Sequence, residues 1–383
     1  MTYSAIKSSV SFLKQASNRN LGSRPIIKVL IVFRSVNGYI INCNKTNLME
    51  TVYFLGIDIS KKKFDAAFTQ DGSNMYELVV PNNATQIRVA FRELRKKFGF
   101  SYDQLIVCLE HTGIYCQPVL DFAVAHDIKV CLEPALQIKQ SQGMVRGKSD
   151  RIDAKRIAAY AFKNRGQLKF WRPQRQVVQK LKALLVTRER LINARVQLQT
   201  PLTEGQEFVE ESIRKAMVKC CQKALQGLAC DIEKIDNEIH QILTQDQHLS
   251  SQMKWATSVP GIGKITGANL IVTTGEFERI IEAKKCACYA GIAPFEHSSG
   301  SSIRGKVRVS KMANMTMKKL LHLSAMAAIR HSEELRVFYA RKVAEGKNKM
   351  SVINAVRNKL ISRVFACVKN QRCYENIYQH ALA

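Results

Sequence analysis

The chain has 383 residues, of which 46% are hydrophobic, so it is long and apolar enough to fold into two or three compact units. Its formal net charge of +28 at pH 7 indicates a polyanionic partner that neutralises it. No apolar run approaches the ~20 residues needed to cross a bilayer, and the basic residues are spread along the chain, so composition predicts nucleic acid rather than a membrane as the partner.

The first 48 residues differ from the rest because they show no sustained hydrophobic period. They mix basic, polar and short apolar pieces, and they close on the polar run Asn44–Asn47, after which Met49 follows. The apolar stretch Ile26–Phe33 is interrupted by Lys28 and lacks a small-residue cleavage site, so it is not a secretory signal. We predict that residues 1–48 are an extension outside the core.

Residues 49–165 carry the pattern of a mixed α/β layer. VYFLGIDIS is a near-continuous apolar run typical of a strand buried on both faces, and FDAAFT and YELVV follow as shorter strands. A helix is predicted over Ala84–Lys97, then the strand QLIVCLE, a helix near Pro118–His126 and the strand IKVCLEP. A basic helix is expected to begin near Ser149.

Residues 170–250 have the apolar spacing of long helices. Pro201 and Gly205 are expected to break the segment into a helical hairpin. A bundle packed within the chain and an intermolecular coiled coil both fit this pattern. The apolar residues recur at steps of three, four or seven, as in a coiled-coil seam: Val177, Leu181, Leu184, Leu191 and Leu198.

Residues 255–370 are predicted to form a mostly helical C-terminal domain that opens on a helix-hairpin-helix. In SVPGIGKITGANLI, Gly261 and Gly263 permit a tight turn whose N–H groups, beside Lys264 and the next helix start, can hold a phosphate. A turn that merely joins two helices would give the same pattern. A basic run further on supplies more candidate nucleic-acid contacts: Arg304, Lys306, Arg308 and Lys311.

The eleven cysteines are scattered along the chain. No CxxC pair with a downstream partner occurs, so neither a zinc ribbon nor a disulfide framework is predicted. Several cysteines lie in apolar stretches such as LIVCLE, where a reduced thiol behaves as a small hydrophobic group. This usage fits the reducing cytosol, and we expect a cytoplasmic protein.

Four carboxylates stand where phosphoryl-transfer chemistry could use them. Asp58 and Glu110 each end a predicted buried strand, and a helix would place Asp150 and Asp153 on one face. Converging buried carboxylates repel one another unless a cation binds, and Mg²⁺ prefers such hard oxygen ligands. Each residue alone also has an ordinary explanation, as a cap or an ion-pair partner. Their order in so basic a chain favours a metal site.

Three phrases carry a resemblance to a known family: GIDISKKKFDAAF, LEHTGIYCQPV and KSDRIDAKRIA. They resemble the N-terminal RuvC-like (RNase H-like) domain of the DEDD insertion-sequence transposases of the IS110 group, also called bridge-RNA-guided recombinases. The resemblance implies that the family's four metal-binding carboxylates correspond to Asp58, Glu110, Asp150 and Asp153 of this chain. This chain has Cys116 where the family often has Trp, a difference that concerns packing more than chemistry.

The segment from Cys286 to Ala328 resembles the second characteristic domain of the same family, in which G-L-x-P, a Ser-Gly pair and a basic run precede a helix. Alignment from Pro294 places the family's catalytic serine on Ser299, directly before Gly300. Ser298, one residue out of register, is the main competitor. Without the resemblance, a serine tract of this kind predicts only a solvated loop.

The resemblance implies a transposase that cleaves and rejoins double-stranded donor and target DNA, with magnesium and a transient serine–phosphate link. It further implies a structured guide RNA and a homo-oligomer, either a dimer or a tetramer. Two alternatives stay open. One is a RuvC-like hydrolytic nuclease or junction resolvase that uses water and not Ser299, and the other is a non-enzymatic nucleic-acid-binding protein with a decayed acidic site.

Overall fold

The computed structural model describes residues 52–141, 149–204, 207–299, 303–309 and 313–376, with the backbone alone for 294–299 and 303–308. The predicted extension 1–48 and Lys311 lie outside the described residues. The chain divides into two compact units, of which the first ends at Trp171 and the second begins at Arg172.

A five-stranded mixed sheet forms the centre of the first unit. Its strand order is β3-β2-β1-β4-β5, with β1 antiparallel to β2 and parallel to β4. The predicted mixed α/β layer is therefore confirmed, strand by strand. The strands are β1 (Tyr53–Ile59), β2 (Lys63–Thr69), β3 (Met75–Pro81), β4 (Leu105–Glu110) and β5 (Lys129–Glu133).

Helices cover both faces of this sheet, which explains why its central strands are apolar throughout. On one face, Leu55 and Ile57 of β1 share a core with α1 and α2. On the other face, Phe54 packs with Ile157 and Tyr160 of α4. The helices of this unit are α1 (Ala84–Phe98), α2 (Gln117–Ala125), α3 (Ala135–Gln140) and α4 (Asp150–Lys163), and short 3₁₀ turns span Tyr102–Gln104 and Gly113–Cys116.

Local capping sets where α1 and α4 begin. The side chain of Asn83 accepts a hydrogen bond from the backbone N–H of Gln86, and that of Ser149 accepts one from Ile152. The left-handed Gly99, with φ of 69°, ends α1. The cap at Ser149 fixes Asp150 as the first residue of α4.

The second unit is mostly helical, as predicted for the C-terminal part of the chain. A two-stranded antiparallel hairpin, β6 (Pro294–Ser299) with β7 (Ile303–Val309), interrupts the helices. The helices are α5 (Gln176–Glu204), α6 (Glu211–Gln245), α7 (Gln247–Thr257), α8 (Lys264–Thr274), α9 (Ala283–Tyr289), α10 (Met315–His331), α11 (Glu333–Ala344) and α12 (Lys349–Lys369).

The two longest helices, α5 and α6, form the predicted helical hairpin. α5 continues past Pro201 to Glu204, so the proline lies within the last turn rather than at the break. Leu181 of α5 is fully buried beside α6 and α8, whereas Val196 and Leu198 are 51% and 37% exposed. Among the described residues, the hairpin is buried at the end that carries Leu181 and more exposed toward Val196 and Leu198, and the intermolecular coiled coil stays a prediction.

No helix in the described part of the chain combines the length and apolarity that a membrane crossing needs. The ten described cysteines all carry free thiols, and five of them are buried as small apolar side chains.

Candidate functional site

The first two predicted carboxylates lie at the ends of neighbouring parallel strands. Ile57 of β1 pairs with Leu109 of β4, so Asp58 and Glu110 follow the same register position. Because side chains alternate along a strand, both point to the face that α4 covers. Both residues are partly buried.

Gly56 determines how closely α4 approaches that face. A Cβ atom at Gly56 would lie 2.2 Å from the backbone nitrogen of Ala158 and 2.5 Å from the carbonyl oxygen of Ala154. Only glycine allows the helix backbone to lie directly on β1. Since Asp58 is two residues further along the same face, this contact holds α4 over the strand that carries Asp58.

The electrostatics of Asp58 show which carboxylates lie near it. Its pKa is raised to about 6, first by burial and then by the negative charges of Asp150, Asp153, Glu110 and Asp65. The structure therefore places Glu110, Asp150 and Asp153 within electrostatic range of Asp58 at one end of the sheet. It adds Asp65, which the sequence analysis did not single out.

Two basic side chains lie beside this cluster. Arg156 donates a hydrogen bond to Asp153 at 2.8 Å, and Lys63 donates one to Asp65 at 2.9 Å while its Nζ atom lies 3.8 Å from the exposed Asp150. As the side chains stand, no three acidic, histidine or cysteine groups in the described ranges are close enough to hold a metal ion. The oxygens of these carboxylates are nonetheless the hard donors that a divalent cation prefers.

The acidic row extends further than the sequence analysis predicted. Asp65 pairs in register with Asp58, and Glu133 pairs with Glu110, so carboxylates occupy the same face of β2, β1, β4 and β5. Asp65 and Glu133 are buried, at 3% and 7% exposure, and Glu133 accepts a hydrogen bond from the thiol of Cys131 at 3.2 Å. One signal was available in the sequence: β5 ends in the same Cys-Leu-Glu as β4.

The serine tract lies in the second unit, on the β6–β7 hairpin. Ser299 is the last residue of β6 and pairs with Ile303, and Ser298 pairs with Arg304. The candidate contacts Lys306 and Arg308 also belong to β7. The hairpin backbone thus joins the serines to the basic run, which the sequence alone placed only in succession.

In the glycine turn between α7 and α8, Gly261 is required for packing against α10. Gly261, with φ of +87°, lies so close to α10 that a Cβ atom would be 2.4 Å from the carbonyl oxygen of Ser324. Gly263 and Lys264 are exposed at the start of α8, which has no side-chain cap. Phosphate binding at this turn stays a prediction, and it now rests on Gly263 and Lys264.

Comparison with known proteins gives a consistent set of matches. A DEDD transposase model of the IS110 type, described as "Transposase", matches residues 55–204, and a model described as "Transposase IS116/IS110/IS902 family" matches residues 253–340. Together they cover well over half of the chain.

Curated relatives match along nearly their whole length. A pilin gene-inverting protein of Moraxella bovis is 27% identical over 333 residues, which are 84% of this chain and 97% of the relative. An insertion element IS110 protein of Streptomyces coelicolor is 24% identical, over 84% of this chain and 95% of the relative. Among solved structures, T. thermophilus RuvC in complex with a Holliday junction substrate matches 31% of this chain and 99% of its own, at 14% identity and a TM-score of 0.25.

Proposed function

Because the chain belongs to the IS110 family of transposases and is therefore an enzyme that transposes or recombines DNA, we propose that it works through a two-part active site. In the first unit, a RuvC-like domain holds Mg²⁺ on Asp58, Glu110, Asp150 and Asp153. In the second unit, Ser299 is the nucleophile. The observation that carries the proposal is the placement of Glu110, Asp150 and Asp153 around the partly buried Asp58, whose pKa is raised to about 6 first by burial and then by these negative charges.

The four carboxylates form two pairs of proposed ligands, one pair on the strands and one on a helix. Asp58 and Glu110 are fixed by the backbone of β1 and β4, so they provide rigid ligands. Asp150 and Asp153 lie on the first turn of α4, where Arg156 hydrogen-bonds Asp153, so this pair provides the ligands that belong to the helix. Mg²⁺ held by these four carboxylates would stabilise the charge on the attacking and leaving oxygens of a phosphoryl transfer.

Ser299 supplies the step that separates recombination from hydrolysis. Its hydroxyl oxygen forms a bond to phosphorus while the bond from phosphorus to one strand oxygen breaks, and the serine proton passes to a base as the leaving oxygen gains one. The serine–phosphate ester conserves the bond for religation. A serine hydroxyl is a poor nucleophile until a base or a metal ion activates it. In this proposal the acidic site activates Ser299, and Glu296 and His297 are the potential bases that lie nearest to it in sequence.

The proposal includes nucleic-acid partners and self-assembly. A structured guide RNA pairs with donor and target DNA, and the basic residues Lys264, Arg304, Lys306, Arg308 and Lys311 grip phosphates. A net charge of +28 supports such a sequence-independent grip. A dimer or tetramer brings two DNA duplexes together for strand exchange. The Moraxella relatives, by name, invert a pilin gene, which is in keeping with recombination of this kind.

The test of the metal site is Asp58→Asn, which keeps the shape of the side chain and removes one charged ligand. We expect strand cleavage in Mg²⁺ to fall by at least two orders of magnitude, because a transition-state contact is lost. Nucleic-acid binding should stay within about twofold, since phosphates are held by Lys and Arg. The measurements are a cleavage assay on labelled DNA and a binding titration.

A matched control is Asp121→Asn, which removes an exposed carboxylate from α2 on the opposite face of the sheet. It should cleave as the unaltered chain does. If Asp58→Asn also cleaves normally, the carboxylates are structural. If the unaltered chain cuts no DNA with guide RNA and Mg²⁺, the proposed two-part active site is contradicted.

A further inference from the structure

A second charged feature of the first unit is a basic cavity on the sheet face opposite the acidic site. It has a volume of about 370 Å³ and lies against α1 and the end of α2. Both helices pack on the face that Leu55 and Ile57 cover, whereas Asp58 points to the α4 face. The cavity is therefore separate from the proposed metal site.

Four cations line one side of this cavity: Arg88, Arg92, Arg95 and Lys96. Their spacing places them on one face of α1, while Ile87, Phe91 and Leu94 on the other face pack into the core. No acidic side chain in the described part of the chain forms an ion pair with any of the four. Like charges at such spacing repel each other along α1, so the helix is poised for an anionic partner.

Aromatic rings form the other side. His126 is exposed, and its ring stacks on Phe122 with centroids 4.1 Å apart and an interplanar angle of 29°. Its Nδ1 atom lies 2.9 Å from the carbonyl oxygen of Phe122, which fixes the ring orientation. Tyr102 meets His126 edge-on at 5.1 Å, and the guanidinium of Arg95 lies 5.4 Å from the Tyr102 ring centre.

Cations beside an ordered aromatic platform match what single-stranded nucleic acids present, namely phosphates beside unstacked bases. A duplex would offer phosphates but no free base face. The segment from Arg88 to Lys96 spans roughly 12 Å along α1, which accommodates more than one phosphate.

We propose that this cavity, the α1–α2 groove, binds an unpaired stretch of a nucleic-acid strand. One base stacks on His126, and the flanking phosphates lie on Arg88, Arg92 and Lys96. The unpaired strand can come from RNA or from opened DNA, which share this chemistry. The proposal rests on the proposed function only in that the enzyme handles nucleic acids, because the groove needs neither the carboxylates nor Ser299.

The test uses the full-length chain without Mg²⁺, so that a failure of the catalytic proposal cannot affect it. Twelve-residue oligouridine and oligodeoxythymidine are the probes, and a DNA duplex is the comparison. Dissociation constants are measured over a range of salt concentrations. The matched control, Lys219→Ala with Lys223→Ala, removes two exposed cations one turn apart on α6.

The two sides of the groove give different signatures. Arg88→Ala with Arg92→Ala should reduce the slope of log K against log salt by about 1.4, or about 0.7 for each phosphate contact. His126→Ala should weaken binding roughly 5- to 150-fold at unchanged slope, and His126→Phe should restore it. Tighter binding of oligouridine assigns the strand to RNA, and tighter binding of oligodeoxythymidine assigns it to DNA.

The proposal is overturned if His126→Ala binds both single strands as the unaltered chain does. It is also overturned if the arginine pair changes the salt slope no more than the α6 control. Equal weakening of duplex binding by His126→Ala would likewise contradict base stacking.

Discussion

Asp58 lowers the stability of the folded chain and is also the central ligand of the proposed metal site. A partly buried carboxylate beside Asp150, Asp153 and Glu110 is destabilising when all are ionised, and the raised pKa of Asp58 reflects that cost. Simple fold stability would favour an amide at this position. The proposed cation-binding role would account for a carboxylate there.

A pH dependence of stability follows from this pKa. Below about pH 4, Asp58 is protonated in both the folded and the unfolded chain. Between pH 4 and its folded pKa of about 6, the folded chain retains a proton that the unfolded chain loses, so stability falls as the pH rises through this window. In EDTA at pH 8, Asp58→Asn should therefore raise the free energy of unfolding by about 1 kcal/mol, after allowance for solvent screening.

The measurement is denaturant unfolding of both chains from pH 4 to pH 8. The stabilising difference should vanish near pH 4, and Asp121→Asn should show no such trend. Mg²⁺ at pH 8 should stabilise the unaltered chain but not Asp58→Asn. A variant that is less stable at every pH would mean that Asp58 is a structural residue.

Among the elements, the contact between α4 and β1 holds the site together. The helix contributes two carboxylates and the strand one, and their approach depends on the missing side chain at Gly56. The clash that a Cβ would cause is with the backbone of Ala154 and Ala158, which cannot rotate away. Packing at a position with no catalytic group thus determines the geometry of the carboxylates.

Gly56→Ala should therefore disturb both folding and chemistry. We expect a loss of about 1–3 kcal/mol in the free energy of unfolding, as for overpacked cores, together with a large loss of cleavage. Gly166→Ala is the matched control, because an added Cβ there meets no atom within 4 Å. Normal stability and cleavage in Gly56→Ala would show that α4 shifts without consequence for the site.

The sequence predicted elements well where local pattern decides them. The five strands, α1, α2 and α4 follow from apolar runs, turn residues and the helical pattern that begins near Ser149. The β6–β7 hairpin was not predicted, because its serines and alternating basic residues carry no apolar period. Asp65, Glu133 and the α1–α2 groove depend on strand register and helix packing, which a single sequence does not contain.

At the scale of the whole molecule, the two units and the exposed apolar residues bear on the proposed mechanism. The exposed apolar residues toward the free end of α5, Val196 and Leu198, fit the predicted homo-oligomer. The carboxylates belong to the first unit and Ser299 to the second. Recombination by the proposed mechanism requires that the two meet on DNA.

The most direct test of this central claim is a denaturing gel of labelled target DNA incubated with the protein, guide RNA and Mg²⁺. The proposed mechanism predicts a protein-linked DNA band that Ser299→Ala abolishes along with recombination, whereas Ser298→Ala retains both. Asp58→Asn should also lose the band, since the acidic site activates the serine. If no protein-linked DNA forms and Ser299→Ala still cuts, the chain is a hydrolytic RuvC-like nuclease and the serine assignment is wrong.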